Sequence, residues 1–322
     1  MKKYLLITLS SLLVTTVYSE ENKESKNNSS SSIIRKKKVK KPRKRTYFNH
    51  YSTSSRSDEG FEWKLVWSDE FNSGTKPNPK FWNIETGYLR KNTKSIYTAR
   101  KKNVRIEDGC MVLEAHKEKI PNEDYQENSV DLTKQKYIEY TSGQVTSIKK
   151  VSFKYGKIDI RAKLESGLGS WSQLSLINDN REELDWPDCG EMLLCAYLNE
   201  NKNFITTVFS KNYRWGHFHL LYFAPIEKFH TWSVEWNEVE LRFLFDGKLY
   251  HIVKKHEPLK QDKASWPFDQ NFCFYFDLII GGHWAPAVEL EKDSIKLQID
   301  YVRVYKLPGY DMNSKPNFYT VE

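Results

Sequence analysis

The stretch KYGKIDIRAKL, residues 154–164, alternates apolar and charged side chains over its whole length. Successive side chains of a β-strand point to opposite faces, so this period of two predicts a strand with one buried face. The side chains expected on the buried face are Ile158, Ile160, Ala162 and Leu164.

The same period recurs further along the chain. TWSVEWNEVELRFLFDGKLY (231–250) predicts two strands and, after an Asp-Gly turn, the start of a third, and LQIDYVRVY (297–305) predicts another. No amphipathic helical pattern stands out after the N-terminal segment. Many short alternating strands predict an all-β domain over residues 61–306, built as an antiparallel β-sandwich with a binding pocket between or upon its sheets.

The N-terminus has the pattern of a secretory signal peptide. Residues 1–19 place two lysines before an apolar run of about fourteen residues, followed by small residues at signal-peptidase spacing. That run is too short to cross a bilayer, and no later run approaches the roughly 18 apolar residues that a span needs. We therefore predict a secreted, extracellular protein without a membrane span.

Residues 20–60 lack apolar periodicity, which predicts a disordered arm. Within the arm, the run Arg35–Arg45 supplies nine positive charges, whereas the formal net charge of the whole chain is +8. The rest of the chain is therefore close to neutral. The run is either a solvated or proteolytically processed linker or a site for an anionic polymer such as a sulfated glycan, and no DNA partner is expected. Residues 307–322 form a C-terminal tail.

Four cysteines are present, at positions 110, 189, 195 and 273. In an exported chain they permit three complete disulfide pairings, among which the sequence does not choose. Their spacing is not that of a zinc site. Disulfides and buried thiols are both consistent with the pattern.

Nine sequence blocks, taken together and in order, resemble the family 16 glycoside hydrolases. That family includes laminarinase-like endo-β-1,3-glucanases and non-catalytic β-1,3-glucan-binding proteins. The resemblance covers nearly all of residues 61–306 and implies a concanavalin A-like jelly roll with a concave glycan-binding cleft. The blocks are LVWSDEFN (65–72), FWNIETG (81–87), IYTARKKNVRIEDGCMVLEA (96–115), YTSGQVTSIKKVSFKYGKIDIRAKL (140–164), WPDCGE (186–191), SVEWNEVELRFLFDGKLY (233–250), WPF (266–268), GGHW (281–284) and DYVRVY (300–305).

Catalysis in that family relies on E-x-D-x-x-E after W-P-x-x-G. A retaining glycosidase needs two carboxyl groups about 5–5.5 Å apart, one as nucleophile and one as general acid. The resemblance places Glu191 at the nucleophile position, Leu193 at the helper aspartate and Ala196 at the general acid. Ala196 shares a strand face with Glu191 only if the strand contains a β-bulge between them. In the shorter family variant, E-x-D-x-E, the acid position falls on Cys195.

Other positions that the family uses for chemistry have also changed. The histidine of T-x-H is Phe209, the second tryptophan of G-x-W-P-A-F-W is Ser175, and the glutamine before Y-Y-T is Ser95. These substitutions concentrate at chemistry positions while the strand blocks match. The simplest interpretation is a retained scaffold with a dismantled active site. A relocated acid is the alternative, and its nearest candidates are Glu182, Glu183, Asp185 and Asp188.

Aromatic positions suited to sugar binding are retained. The resemblance assigns Trp171, Trp186 and Trp284 to the glycan cleft, where aromatic faces pack against sugar rings. Glu191 is then either a leftover buried group or an acceptor for a sugar hydroxyl. Asp300 matches a position that in some relatives helps to hold a structural calcium ion, and no other cofactor is expected.

Three functions follow from these observations. The leading hypothesis is a secreted carbohydrate-binding pseudo-glycosidase that recognises β-glucan or a related polysaccharide without hydrolysing it. The second is an active, atypical β-glucan hydrolase or transglycosylase, with Glu191 as nucleophile and a relocated acid. The third is an extracellular matrix or coat protein whose basic arm binds anions.

Overall fold

A computed structural model describes residues 62–90, 93–181, 184–198, 203–211, 219–222, 227–255, 266–285, 288–306 and 317–318. The predicted signal peptide (1–19) and the predicted arm (20–60) lie outside these residues. No helix in the described part of the chain is long and apolar enough to cross a membrane. Its regular elements are β-strands and two short 3₁₀ turns, Leu132–Lys134 and Pro267–Asp269.

The strands, numbered in chain order, are β1 (Lys64–Asp69), β2 (Asn83–Ile84), β3 (Ser95–Tyr97), β4 (Val104–Glu107), β5 (Cys110–Pro121), β6 (Tyr137–Ser142), β7 (Gln144–Thr146), β8 (Val151–Ser152), β9 (Gly156–Leu164), β10 (Ser170–Asn178), β11 (Glu191–Leu198), β12 (Asn203–Phe209), β13 (His219–Tyr222), β14 (His230–Trp236), β15 (Glu240–Phe245), β16 (Lys248–Lys254), β17 (Phe272–Ile280), β18 (Ser294–Lys306) and β19 (Asn317–Phe318).

Two large sheets form the fold. The first sheet has the order β16-β15-β14-β9-β18-β5-β6-β3, with β1 added to β18 and β4 to β5. The second sheet has the order β13-β12-β11-β10-β17-β7-β2. Within the described residues, the strand pairs are antiparallel except for β3 with β6. The predicted antiparallel β-sandwich of the jelly-roll class is therefore confirmed. The predicted tail contributes β19, which pairs with β8.

The strand predicted from KYGKIDIRAKL is β9. Its four apolar side chains, at positions 158, 160, 162 and 164, are at most 1% exposed and lie in the core between the two sheets. The segment 231–250 forms β14, β15 and the start of β16, and the segment 297–305 lies within β18. Alternation predicts these strands correctly because each has one face on the inter-sheet core.

The second sheet is buried on both faces in its centre. Every residue of β10 and β11 is buried, so their alternate side chains lie on a face that the first sheet does not cover. We call this the site face. It carries a second apolar cluster, to which Leu193, Ala196, Phe209 and Trp171 belong. Trp186 and Trp284 pack against that cluster from the loops.

The β-bulge that the motif spacing requires is present in β11. Leu193 pairs with Thr207 and Ala196 pairs with Ile205, so two residues of β11 stand opposite the single Thr206 of β12. The extra residue returns Ala196 to the site face. The two residues within the bulge, Leu194 and Cys195, belong to the inter-sheet core instead.

Thr206 holds the bulge in place from the neighbouring strand. Its hydroxyl donates to the backbone oxygen of Leu194 at 2.8 Å and lies 2.6 Å from the Tyr250 hydroxyl of the first sheet. Thr206 is fully buried, so water does not replace these bonds if they are lost. The hydroxyl therefore ties the bulge to both sheets.

The four cysteines are free thiols, and all are buried. The predicted disulfide is thus not formed, and the buried-thiol alternative describes this structure. Cys195 lies in the inter-sheet core, whereas Cys189 and Cys273 lie in a separate small cluster with Ile177. Burial raises the pKa of each of these thiols, which keeps them protonated.

Replacing Thr206 with valine is expected to destabilise the protein by about 1–3 kcal/mol, because it removes the hydrogen bond to the backbone oxygen of Leu194 and the contact with the Tyr250 hydroxyl. The matched control is Thr207→Val, since Thr207 is equally buried but, among the described residues, its hydroxyl makes only a long, 3.4 Å contact with the neighbouring Val208 oxygen. Urea unfolding of both variants measures the difference. Equal losses of stability in the two variants would show that the bulge does not depend on Thr206.

Candidate functional site

The structure brings the substituted motif positions together on the site face. Glu191, Leu193 and Ala196 lie on this face of β11 and are 6%, 1% and 0% exposed. Phe209 pairs with Glu191 from β12, and Ser175 pairs with Leu193 from β10. Five positions spread over 35 residues of sequence therefore form one contiguous row.

Ser95, the remaining substituted position, lies apart from this row on β3. Its hydroxyl accepts a hydrogen bond from the backbone N–H of Ile280. This contact joins the first sheet to the second.

The loop before Glu191 is fixed by close packing. Gly190 has φ +92°, and a Cβ there would lie 2.4 Å from a side-chain carbon of Pro267. Only glycine fits both the backbone conformation and this approach. The contact links the WPDCGE block to the WPF block, which sets where Glu191 enters the sheet.

Glu191 accepts hydrogen bonds from three neutral side chains. Gln173 Nε2 and Ser175 Oγ donate to Oε1 at 2.6 and 2.7 Å, and Trp186 Nε1 donates to Oε2 at 2.8 Å. Burial raises the pKa of the Glu191 carboxyl, although the bonds from Ser175 and Trp186 oppose that shift. The carboxyl is thus a buried hydrogen-bond acceptor.

Aromatic rings pack in pairs on the site face and at its edge. The Trp186 ring packs on Phe209 with centroids 5.3 Å apart, and the Trp171 ring packs on Trp284 at 4.9 Å. Trp186 and Trp284 are partly exposed, whereas Trp171 is 7% exposed. The three predicted sugar-binding tryptophans therefore lie on the site face or at its edge.

A buried polar network, which the sequence did not reveal, extends from Glu191 across the site face. Gln173 Oε1 accepts from Arg90 Nη2 at 2.8 Å, and Arg90 Nε donates to Asp277 Oδ2 at 3.0 Å. Asp277 also accepts from Gln144 at 2.9 Å and from the Tyr97 hydroxyl at 3.3 Å. These bonds connect β7, β17, β10 and β11.

Asp277 is fully buried, and burial raises the pKa of its carboxyl against the opposing effect of Arg90.

The sequence carries a signal for Asp277, because it is the single acid in the otherwise apolar and aromatic strand FCFYFDLII (272–280). Gln173 lies between Trp171 and Ser175 at strand spacing, which was a weaker signal. No sequence signal pointed to Arg90, because its partners lie far away in the sequence.

None of the residues predicted as a relocated acid contacts Glu191 among those that the structure describes. Asp185 is exposed and Asp188 is half-buried, while Glu182 and Glu183 lie outside the described residues. Cys195, the acid position of the shorter motif, belongs to the inter-sheet core and not to the site face.

Asp300, the predicted calcium ligand, forms an ion pair with Arg161 on the outside of the first sheet. Calcium takes several oxygen ligands, and a guanidinium already neutralises this carboxylate. Within the described part of the chain, no cluster of three His, Cys, Asp or Glu side chains is arranged to hold a metal ion. Calcium binding at Asp300 stays a prediction, and it would require this carboxylate to exchange its partner Arg161 for the ion.

The raised pKa of Glu191 predicts a pH dependence of stability. A carboxyl whose pKa is higher in the folded state contributes stability that is complete below its unfolded pKa and lost as the pH rises through the folded value. Glu191→Gln removes this titration. The Tm of the variant minus that of the wild type should therefore increase between about pH 4 and about pH 8.

The control for this measurement is Glu118→Gln. Despite burial, hydrogen bonds from Lys102, Thr141 and Arg100 lower the pKa of Glu118 to about 2. Its contribution is complete above the unfolded pKa of 4.5 and is lost as the pH falls below it, so its Tm difference should decrease slightly between about pH 4 and pH 5 and then stay level. A level difference for Glu191→Gln as well would contradict the account.

Comparisons with known proteins agree with this geometry. The model of the Glycosyl hydrolases family 16 matches residues 92–303. The chain is 32% identical over 273 residues to the Beta-glucanase of Rhodothermus marinus, covering 79% of this chain and 88% of that protein. It is 22% identical over 230 residues to the Beta-1,3-glucan-binding protein of Penaeus monodon, covering 52% and 63%. The catalytic domain of an endo-1,3-β-glucanase from Thermotoga petrophila matches with a TM-score of 0.66 at 30% identity, covering 77% and 99%. The chain belongs to glycosyl hydrolase family 16.

Proposed function

We propose that this protein recognises β-glucan or a related polysaccharide and does not hydrolyse it. The observation that carries the proposal is the pair Leu193 and Ala196, two buried apolar residues on the same strand face as Glu191. A retaining glycosidase requires a second carboxyl group about 5–5.5 Å from the nucleophile, and the family motif places it at position 196. Neither residue can donate or accept a proton.

The surroundings of Glu191 support the loss of hydrolysis. A nucleophilic carboxylate must be ionised and must reach the anomeric carbon of a sugar. Here the carboxyl is 6% exposed, and both oxygens already accept hydrogen bonds from neighbouring side chains. Phe209 replaces a polar group beside it with an apolar ring. These features suit a structural acceptor better than a nucleophile.

The retained aromatic residues support polysaccharide recognition. Trp186 and Trp284 keep part of their ring surface exposed at the edge of the site face. Such surfaces bind sugar rings with little demand on proton transfer. Among the relatives, a β-1,3-glucan-binding protein provides a precedent for recognition as the function of a related chain. Binding of an anionic polymer by Arg35–Arg45 and export of the chain remain separate predictions.

The test incubates the full chain with insoluble β-1,3-glucan for a day and measures two quantities. Protein should be depleted from solution in a saturable manner, while the number of reducing ends should stay at the level of the glucan alone. New reducing ends that disappear in Glu191→Ala would instead establish an active, atypical hydrolase. No depletion and no new ends would favour the matrix or coat alternative.

A tryptophan variant locates the binding surface. Trp284→Ala should weaken glucan binding by about fivefold or more, because a partly exposed ring at the edge of the site is removed. Tyr125→Ala is the control, since Tyr125 is 46% exposed in the segment between β5 and β6. Depletion curves for both variants give the comparison. Equal binding by both variants would place the glycan elsewhere.

A further inference from the structure

Arg90 lies against the aromatic surface of the site face. Its guanidinium carbon is 5.2 Å from the centroid of the Trp171 ring and 5.7 Å from that of Tyr275. Trp171 also packs against Trp284, and its Nε1 donates to the backbone oxygen of Gly281 at 3.1 Å. Protein groups therefore cover Trp171, which is why it is 7% exposed.

Polar contacts hold the guanidinium in this place. Arg90 Nη2 lies 2.9 Å from Asp277 Oδ2 and also donates to Gln173. The Arg90 backbone oxygen accepts from the Thr93 hydroxyl at 3.1 Å. The Arg90 side chain nevertheless remains 19% exposed, whereas that of Asp277 is 0% exposed. Arg90 is thus the solvent-facing member of a fixed ion pair.

A cation on an aromatic face and a sugar on the same face exclude each other. Both use the π surface of the ring, and a tryptophan gives the strongest attraction to a guanidinium. We propose that Arg90 is a built-in occupant of the sugar subsite on Trp171, so that a glycan enters this subsite only when the guanidinium leaves. Arg90 thereby determines which part of the cleft a glycan uses. This inference rests on the proposed function.

The chemistry of the pair specifies what must replace the guanidinium. When Arg90 leaves, Asp277 loses its cationic partner while its carboxylate remains buried. Asp277 Oδ1 already lacks a hydrogen-bond partner among the described residues. A ligand at this subsite must therefore bring hydroxyl donors for the carboxylate as well as an apolar ring face for Trp171. An unmodified neutral sugar carries both, whereas an O-methylated sugar lacks the donors.

The test compares the full chain with the double variant Arg90→Ala, Asp277→Asn. Removing both charges avoids leaving a buried carboxylate unpaired, and the amide oxygen of the asparagine still accepts a hydrogen bond from a sugar hydroxyl. The affinity for a soluble β-1,3-glucan, measured by titration calorimetry, is expected to increase about fivefold, because no guanidinium has to be displaced. Arg100→Ala is the control, since Arg100 forms its ion pair with Glu118 away from the site. The control should bind as the wild type does.

If the wild type binds and the double variant binds equally or more weakly, the inference is overturned. The proposed function then stands, because the wild type still recognises the glucan. Binding by the double variant alone would support the inference and show that the wild-type site is closed. No binding by either protein would overturn both. If thermal unfolding shows that the double variant does not fold, Arg90→Lys is measured instead. This variant keeps the positive charge but loses the planar guanidinium that lies on the Trp171 ring. It is expected to bind the glucan more tightly than the wild type, by less than the fivefold expected for the double variant.

Discussion

The single extra residue in β11 is the constraint on which the site depends. Without the bulge, Ala196 would point into the inter-sheet core and Cys195 would take its place on the site face. With it, Glu191, Leu193 and Ala196 share one face, and Thr206 ties the bulge to both sheets. The scaffold thus places three side chains in one row on the site face, and two of the three, Leu193 and Ala196, carry no carboxyl group.

Glu191 is the carboxyl group of this row, and neighbouring side chains accommodate it in a buried place. A buried carboxylate is costly unless hydrogen bonds compensate it. Glu191 receives three neutral donors, and Gln173 connects it to the ion pair of Arg90 with Asp277. The site face is therefore a continuous hydrogen-bonded network between apolar walls. Such a network suits a rigid recognition surface, whereas proton transfer would require a free acid within it.

Much of this arrangement follows from the sequence, for identifiable reasons. The strand β9 was predictable because its apolar side chains repeat every second residue against a buried core. The motif positions were predictable because WPDCGE fixes their register. The bulge followed from the spacing of Glu191 and Ala196 on one face.

Other parts could not be predicted from the sequence. The burial of β10 was hidden because its site-face residues, such as Gln173 and Ser175, are polar and resemble a solvated face. The ion pair joins residues separated by 187 positions, Arg90 and Asp277, so no local pattern reports it. Whether the cysteines are paired or free depends on where the packed sheets place them. Cys195 lies in the inter-sheet core, whereas Cys189 and Cys273 lie in a separate cluster.

A substrate that needs no general acid shows directly whether Glu191 can act as a nucleophile. The full chain is incubated with a 2-fluoro laminari-oligosaccharide that carries a fluoride leaving group, and its intact mass is measured. We expect no change in mass, because the carboxyl is buried and already hydrogen-bonded. A covalent glycosyl adduct that maps to Glu191 would contradict this expectation and show that the nucleophile remains functional.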